Sequence, residues 1–65
     1  MTSIDYSKLI KDYREKVFLT QKELAEKLGV SFVSVNRWEN GHFVPTMKLK
    51  RKLHKLFTEA GIVEE

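Results

Sequence analysis

The sequence has 65 residues, no cysteine, a hydrophobic fraction of 42% and a formal net charge of +3 at pH 7. This length predicts one small domain over residues 1–65, with no room for a substrate pocket of several hundred cubic ångströms. The lack of cysteine excludes disulfides and thiolate metal sites, and no apolar run approaches the roughly 18 residues of a membrane span. Because the N-terminus also lacks the apolar segment of a signal peptide, we expect a cytoplasmic protein, most simply from a bacterium or a phage.

The titratable residues do not favour catalysis. Acidic side chains are scattered over predicted helix surfaces, no nucleophile–base pair is suggested, and there is no glycine-rich phosphate loop. His42 and His54 are far apart and have no second ligand at metal-binding spacing. We therefore expect no enzymatic activity, no cofactor and no metal site.

The first helix is predicted to run from near Asp5 or Ser7 to Val17, with Ser3 or Asp5 as its N-cap. Its apolar stripe has helical spacing and consists of Tyr6, Leu9, Ile10, Tyr13 and Val17. The second helix is predicted over residues 21–28. Thr20 and Glu23 form a capping-box pattern before it, and Gly29 is the expected left-handed residue that ends it.

The third helix is predicted to begin after the N-cap Ser31 and to end around Asn40, before Gly41. Thr46 is expected to cap a fourth helix from Met47 to about Ala60. The apolar stripe of this fourth helix consists of Leu49, Leu53, Leu56, Phe57 and Ala60. Gly61 should end it and fold Ile62 back onto the core, and Val63, Glu64 and Glu65 are expected to form a frayed tail. The sequence thus predicts an all-α domain of four helices, with room for a short fifth turn.

The third helix has an outward face unlike an ordinary solvated surface. A projection at about 100° per residue separates two sides. The inward side carries Ser31, Val35, Trp38 and Glu39. The outward side carries Phe32, Val33, Asn36, Arg37 and Asn40. Such a mixture suits base-pair edges, because Arg reads guanine, Asn reads adenine and apolar groups meet the thymine methyl.

Positive charge is concentrated near this helix. Residues 1–30 hold six basic and five acidic residues, whereas residues 31–58 hold six basic residues and one acid, Glu39. An asymmetry of this kind indicates an anionic partner, although a basic soluble surface is the simpler alternative.

The second and third predicted helices are joined by a short turn that contains glycine. This is the layout of a helix-turn-helix, over about residues 20–40. The segment LTQKELAEKLGVSFVSVNRWENG closely resembles the DNA-binding domain of phage repressors, Cro and their bacterial relatives. The resemblance extends from about Leu9 to Leu56 and implies a lambda-repressor-like fold. It also implies sequence-specific binding to double-stranded DNA by a transcription regulator.

The resemblance assigns base-reading positions to Phe32, Val33, Asn36 and Arg37. Relatives often have Gln at such positions, so Phe32 and Val33 lose the bidentate contact of Gln with adenine. They could instead pack against thymine methyls, or Phe32 could pack against the edge of the helix-turn-helix or a protein partner. Arg37 is the best candidate to read guanine, and its alternative is a phosphate contact without specificity.

The resemblance also implies contacts with DNA phosphates. Gln21 matches a family position where the side chain and the N-terminus of the second helix meet a phosphate, and Asn40 matches a phosphate-contacting Asn. The other candidates are Ser31, Ser34, His42, Lys48 and Arg51, with Lys52 a further one and Lys55 expected to be solvated. Ser31 is expected to act mainly as a cap. Arg14 and Glu39 match positions that form a structural, buried ion pair between the first and third helices.

The expected partner is therefore double-stranded DNA. A module of this size reads few base pairs, and the family commonly dimerises on palindromic half-sites, so a homodimer on DNA is one expectation. The alternative is a DNA- or protein-binding module of an antitoxin or DNA-modification system. In that case the Phe32 and Val33 face, or the basic fourth helix, would hold a protein partner.

Overall fold

Four α-helices form in the computed structural model, which describes residues 5–62. They are α1 (Tyr6–Lys16), α2 (Gln21–Leu28), α3 (Phe32–Glu39) and α4 (Met47–Glu59). No strand occurs in this range, so the predicted all-α architecture is confirmed. Ser3 as a cap and the tail of Val63, Glu64 and Glu65 lie outside the described residues.

Side-chain caps mark where α1 and α2 begin. Thr20 and Glu23 form the full capping box of α2, with each side chain accepting the other residue's amide. Asp5 caps α1 by accepting the Lys8 amide at 3.2 Å. Hydrogen bonds from the Ser7 hydroxyl and the Lys8 amide lower the pKa of Asp5, so its cap is fully present above the ordinary aspartate pKa and is lost as the pH falls through the lowered value.

The cap of α4 differs from the prediction. Thr46 occupies the N-cap position with extended backbone, but its side chain makes no capping hydrogen bond. The prediction that Thr46 caps this helix is therefore correct for its position and wrong for its hydrogen bond. The preceding Pro45 is buried, which fixes the entry of the chain into α4 by packing.

One hydrophobic core joins all four helices. Its buried side chains are Tyr6, Ile10, Tyr13, Leu24, Ala25, Leu28, Val35, Trp38, Leu53 and Phe57. α1 and α4 lie side by side in the same direction, because Tyr6 at the start of α1 contacts His54 in the middle of α4, and Tyr13 contacts Phe57 further along both helices. Tyr6 Oη lies 2.6 Å from His54 Nε2. Val35 and Trp38 anchor the short α3 in this core, so core packing determines which face of α3 is turned outward.

Helix ends are closed by left-handed residues. Gly61 has φ of 78°, and Ile62 donates its amide to the Phe57 carbonyl at 2.8 Å, as predicted for a Schellman turn. Ile62 then packs against the hydrophobic core.

None of the helices described within residues 5–62 has the length and apolar character needed to span a membrane.

The end of α1 departs from the predicted pattern. The helix stops at Lys16, so Val17 is the C-cap and is 36% exposed instead of completing the apolar stripe. The next residue, Phe18, has φ of 60° and is 91% exposed. Leu19 then donates its amide to the Arg14 carbonyl at 2.9 Å. Phe18 therefore occupies the left-handed position that glycine fills at the other helix ends.

Replacing Phe18 with glycine should stabilise the domain. A residue with a β-carbon loses roughly 1–2 kcal/mol in the left-handed region, and the extra chain entropy of glycine offsets about 0.5–1 kcal/mol of that gain. We expect the free energy of unfolding, measured by urea denaturation, to rise by about 0.5–1 kcal/mol. Phe18→Ala is the control, because it removes the exposed ring but keeps the backbone strain. Equal stability of the two variants would contradict a backbone origin.

Candidate nucleic-acid interface

The outward face of α3 is exposed as the helical projection predicted. Phe32 and Val33 are each 49% exposed, and Arg37 is exposed beside them. Asn36 is half-buried. Val35 and Trp38 on the opposite side are buried at 0% and 5% exposure. The four predicted base-reading residues therefore share one accessible helix face.

Phe32 also has a protein environment on one side. It borders a shallow apolar depression that Ala25 and Val30 line, with Lys22 and Glu26 at its rim. The small Ala25 side chain leaves this space open next to the ring. Phe32 thus packs along the edge of the α2–α3 unit, as one of the alternatives predicted, and still exposes about half of its surface. Its contact with thymine methyls stays a prediction.

Arg14 and Glu39 form a bidentate ion pair between α1 and α3. Arg14 Nε donates to Glu39 Oε2 at 2.8 Å, and Nη2 donates to Oε1 at 3.0 Å. The Arg14 and Glu39 side chains are 18% and 5% exposed. The hydrogen bonds to Glu39 raise the pKa of Arg14 above its ordinary value, although burial opposes this shift. Arg14 Nη1 also donates to the Leu19 carbonyl at 3.2 Å, so one guanidinium ties together α1, α3 and the turn before α2.

A chain of polar side chains extends outward from this pair. Gln21 Nε2 donates to Glu39 Oε1 at 3.1 Å. Asn36 Nδ2 donates to Gln21 Oε1 at 3.3 Å, and Asn40 Nδ2 donates to Asn36 Oδ1 at 3.1 Å. We call Glu39, Gln21, Asn36 and Asn40 the polar relay. A carboxylate only accepts hydrogen bonds, so the Glu39 charge fixes the direction of each amide along the relay.

The polar relay changes the roles available to Gln21. Its side-chain carbonyl and amide groups both have protein partners, and the residue is half-buried. As the first residue of α2, however, its backbone amide belongs to the helix end that lacks intrahelical acceptors. The relay was not predicted from the sequence, because projecting each helix separately does not show which polar groups meet between helices.

The remaining candidates for phosphate contact fall into two groups. Ser31 caps α3 by accepting the Ser34 amide at 3.2 Å, and the two hydroxyl oxygens also lie 3.2 Å apart. His42, Lys48 and Arg51 are exposed in the α3–α4 loop and at the start of α4.

The other three lysines of α4 have different neighbours. Lys50 Nζ lies 5.3 Å from the centre of the Tyr6 ring, which directs it toward α1. Lys52 and Lys55 line a groove beside Lys27 at the end of α2. The basic side chains of α4 are thus divided among several surfaces, although they read as one stripe in the sequence.

The α3–α4 loop adds an aromatic neighbour to the outward face. Gly41 has φ of 78°, and His42 donates its amide to the Arg37 carbonyl at 3.1 Å, so the chain turns back along α3. The Arg37 guanidinium carbon lies 5.2 Å from the centre of the Phe43 ring. Phe43 was not among the residues predicted from the sequence. The signal available was a large apolar residue two positions after the glycine that ends α3.

Comparisons with known proteins agree with this geometry. A family model described as helix-turn-helix matches residues 10–58. The chain is 42% identical over 53 residues to a protein of Pyrococcus abyssi named as an HTH-type transcriptional regulatory protein. It is 44% identical over 48 residues to an uncharacterised HTH-type transcriptional regulator of Methanocaldococcus jannaschii, and 38% identical over 48 residues to one of Archaeoglobus fulgidus. No solved structure matches the chain significantly.

The relatives differ in how much of their own length is matched. The alignment covers 82% of this chain but only 17% of the Pyrococcus protein. It covers 74% of this chain and 73% and 68% of the Methanocaldococcus and Archaeoglobus proteins. The expected bacterial or phage origin of this chain stays a prediction.

Proposed function

We propose that this chain, which belongs to the helix-turn-helix family, binds double-stranded DNA in a sequence-specific way. It would act as a transcription regulator with α3 in the major groove. The names of the relatives as transcriptional regulators support the regulatory role. A homodimer on a palindromic site is part of the proposal, because one short helix contacts only a few base pairs.

The observation that carries this proposal is the composition and exposure of the outward face of α3. Phe32, Val33 and Arg37 are exposed on it, with Asn36 beside them. Among residues 5–62, the Arg37 guanidinium forms no ion pair, so its fork of donors can meet guanine O6 and N7. Val33 and Phe32 supply apolar surface suited to thymine methyl groups.

Backbone contacts would position this face on the duplex. We assign phosphate contacts to Gln21 through its α2 amide, to Asn40 at the end of the polar relay, and to the exposed Lys48 and Arg51. Ser31, Ser34 and His42 are further candidates, although the Ser31 hydroxyl is already used to cap α3.

Selection from a randomised duplex pool, followed by sequencing, tests the proposal. A sequence-specific regulator should enrich a motif, and a homodimer should enrich two inverted half-sites about one helical turn apart. A single unpaired half-site would contradict the dimer alone. Enrichment of no motif, with weak salt-sensitive binding, would contradict specific DNA recognition and favour a partner protein as the source of specificity.

Lys48 should account for part of the salt dependence. Each phosphate that a basic residue neutralises contributes about 0.9 to the slope of log affinity against log salt concentration. We expect Lys48→Ala to reduce this slope by about 0.9, measured by fluorescence anisotropy on a non-specific duplex. Lys55→Ala is the matched control, because it removes the same charge from α4 in the groove beside α2. Equal changes in both variants would indicate a general charge effect.

A further inference from the structure

We propose that Phe43 is a positioning residue for Arg37 and thereby contributes to the choice of base that Arg37 reads. The inference rests on the proposed function of α3 and names a residue outside the helix-turn-helix that tunes its specificity. The observation behind it is the 5.2 Å separation between the Arg37 guanidinium carbon and the centre of the Phe43 ring.

The backbone builds this contact. Gly41 in the left-handed region reverses the chain, and the His42 amide is bonded to the carbonyl of Arg37 itself. Phe43 is the next residue along the chain. Its ring therefore lies near the side chain of Arg37, the residue whose carbonyl accepts the hydrogen bond that closes the turn. The buried Pro45 holds the other end of this short loop. Phe43 can therefore keep its place without burying its own ring, which is 56% exposed.

The contact suits an arginine that must stay available. A guanidinium over an aromatic face is attracted by the ring quadrupole without giving a donor to a conventional acceptor. Within the described residues, Arg37 has no carboxylate partner, so the contact with the Phe43 ring is the interaction that can restrict its side-chain rotamers. Fewer free rotamers reduce the entropy lost when Arg37 meets a base. An exposed apolar ring that interacts only with solvent would not have this effect.

Phe43→Leu removes the aromatic face while keeping an apolar side chain, and Phe43→Trp restores an aromatic face. Val44→Ala is the matched control, because Val44 is the next residue and is 67% exposed. The affinity of each variant is measured for two duplexes. One carries the motif selected by the wild-type protein, and the other is the same duplex with the guanine opposite Arg37 replaced. That guanine is identified as the position at which Arg37→Ala loses discrimination.

We expect Phe43→Leu to lower the preference for the guanine duplex about two- to fivefold, the range for an exposed cation–π contact, and Phe43→Trp to retain it. Val44→Ala should leave the preference unchanged. In the free protein, the side-chain proton resonances of Arg37 should be shifted by the ring in the wild type and in Phe43→Trp. In Phe43→Leu they should move toward their values in an unstructured peptide.

The outcomes separate this inference from the proposed function. If the wild-type protein selects no motif, specific recognition by α3 is overturned and the role of Phe43 with it. If a motif is selected but Phe43→Leu weakens both duplexes equally or neither, the positioning role alone is overturned. Unshifted Arg37 resonances in the wild-type protein would also overturn it, whatever the binding data show.

Discussion

Replacing Arg14 with alanine is expected to lower the free energy of unfolding by about 3 kcal/mol or more. The variant leaves the Glu39 carboxylate, whose side chain is 5% exposed, without its cationic partner. It also removes the donor to the Leu19 carbonyl in the α1–α2 turn. A domain of this length is stabilised by on the order of 3–10 kcal/mol, so the substitution should remove roughly a third or more of its stability. At the lower end of that range a large share of the molecules should unfold at room temperature. Urea or thermal denaturation followed by circular dichroism measures the loss.

Two further variants isolate the cause. Lys8→Ala breaks the other ion pair of the described residues, with Asp12, whose two side chains are 72% and 47% exposed. It should change stability by less than about 1 kcal/mol. Adding Glu39→Gln to Arg14→Ala removes the unpaired charge and should recover part of the lost stability. If Arg14→Ala cost no more than Lys8→Ala, the Arg14–Glu39 pair would contribute no more than a surface contact.

The four helices could be predicted because their signals are local. A capping residue, an apolar stripe and a terminal glycine each act within a few residues, and α2 begins and ends where these signals place it. Phe18 shows the limit of such signals. The end of α1 has no glycine, and the left-handed residue there is identified only by its backbone geometry. Thr46 shows a second limit, because residue type predicts a capping position more securely than the side-chain bond.

The outward face of α3 could be predicted because burial of Val35 and Trp38 fixes the orientation of a short helix. Contacts between different helices were harder to predict from the sequence. The Arg14–Glu39 pair was suggested by family resemblance, whereas its extension through Gln21, Asn36 and Asn40 depends on the separation of α2 and α3. The position of Phe43 depends on a turn that returns along the helix. Neither the separation of α2 and α3 nor the position of Phe43 relative to Arg37 can be predicted from residue spacing along one helix.

Arg37→Ala is expected to lower affinity for the selected motif about 5- to 150-fold, the range for losing a bidentate contact worth about 1–3 kcal/mol. Affinity for unrelated duplexes should fall much less, because the exposed Lys48 and Arg51 remain. Discrimination should be lost mainly at one base pair of each half-site. Competition binding between the motif and its single-base variants, at fixed salt concentration, measures this loss.

The choice of comparison variant follows from the polar relay. Gln21→Ala, which the sequence alone would suggest as a phosphate-contact control, removes the hydrogen bond that holds Asn36 and uncovers the Glu39 carboxylate. It should therefore change both affinity and base preference. Lys48→Ala is the cleaner control, since no side-chain partner of Lys48 is found among residues 5–62. If Arg37→Ala and Lys48→Ala weakened all duplexes alike, Arg37 would contact a phosphate, and the reading of bases would fall to Asn36, Phe32 and Val33.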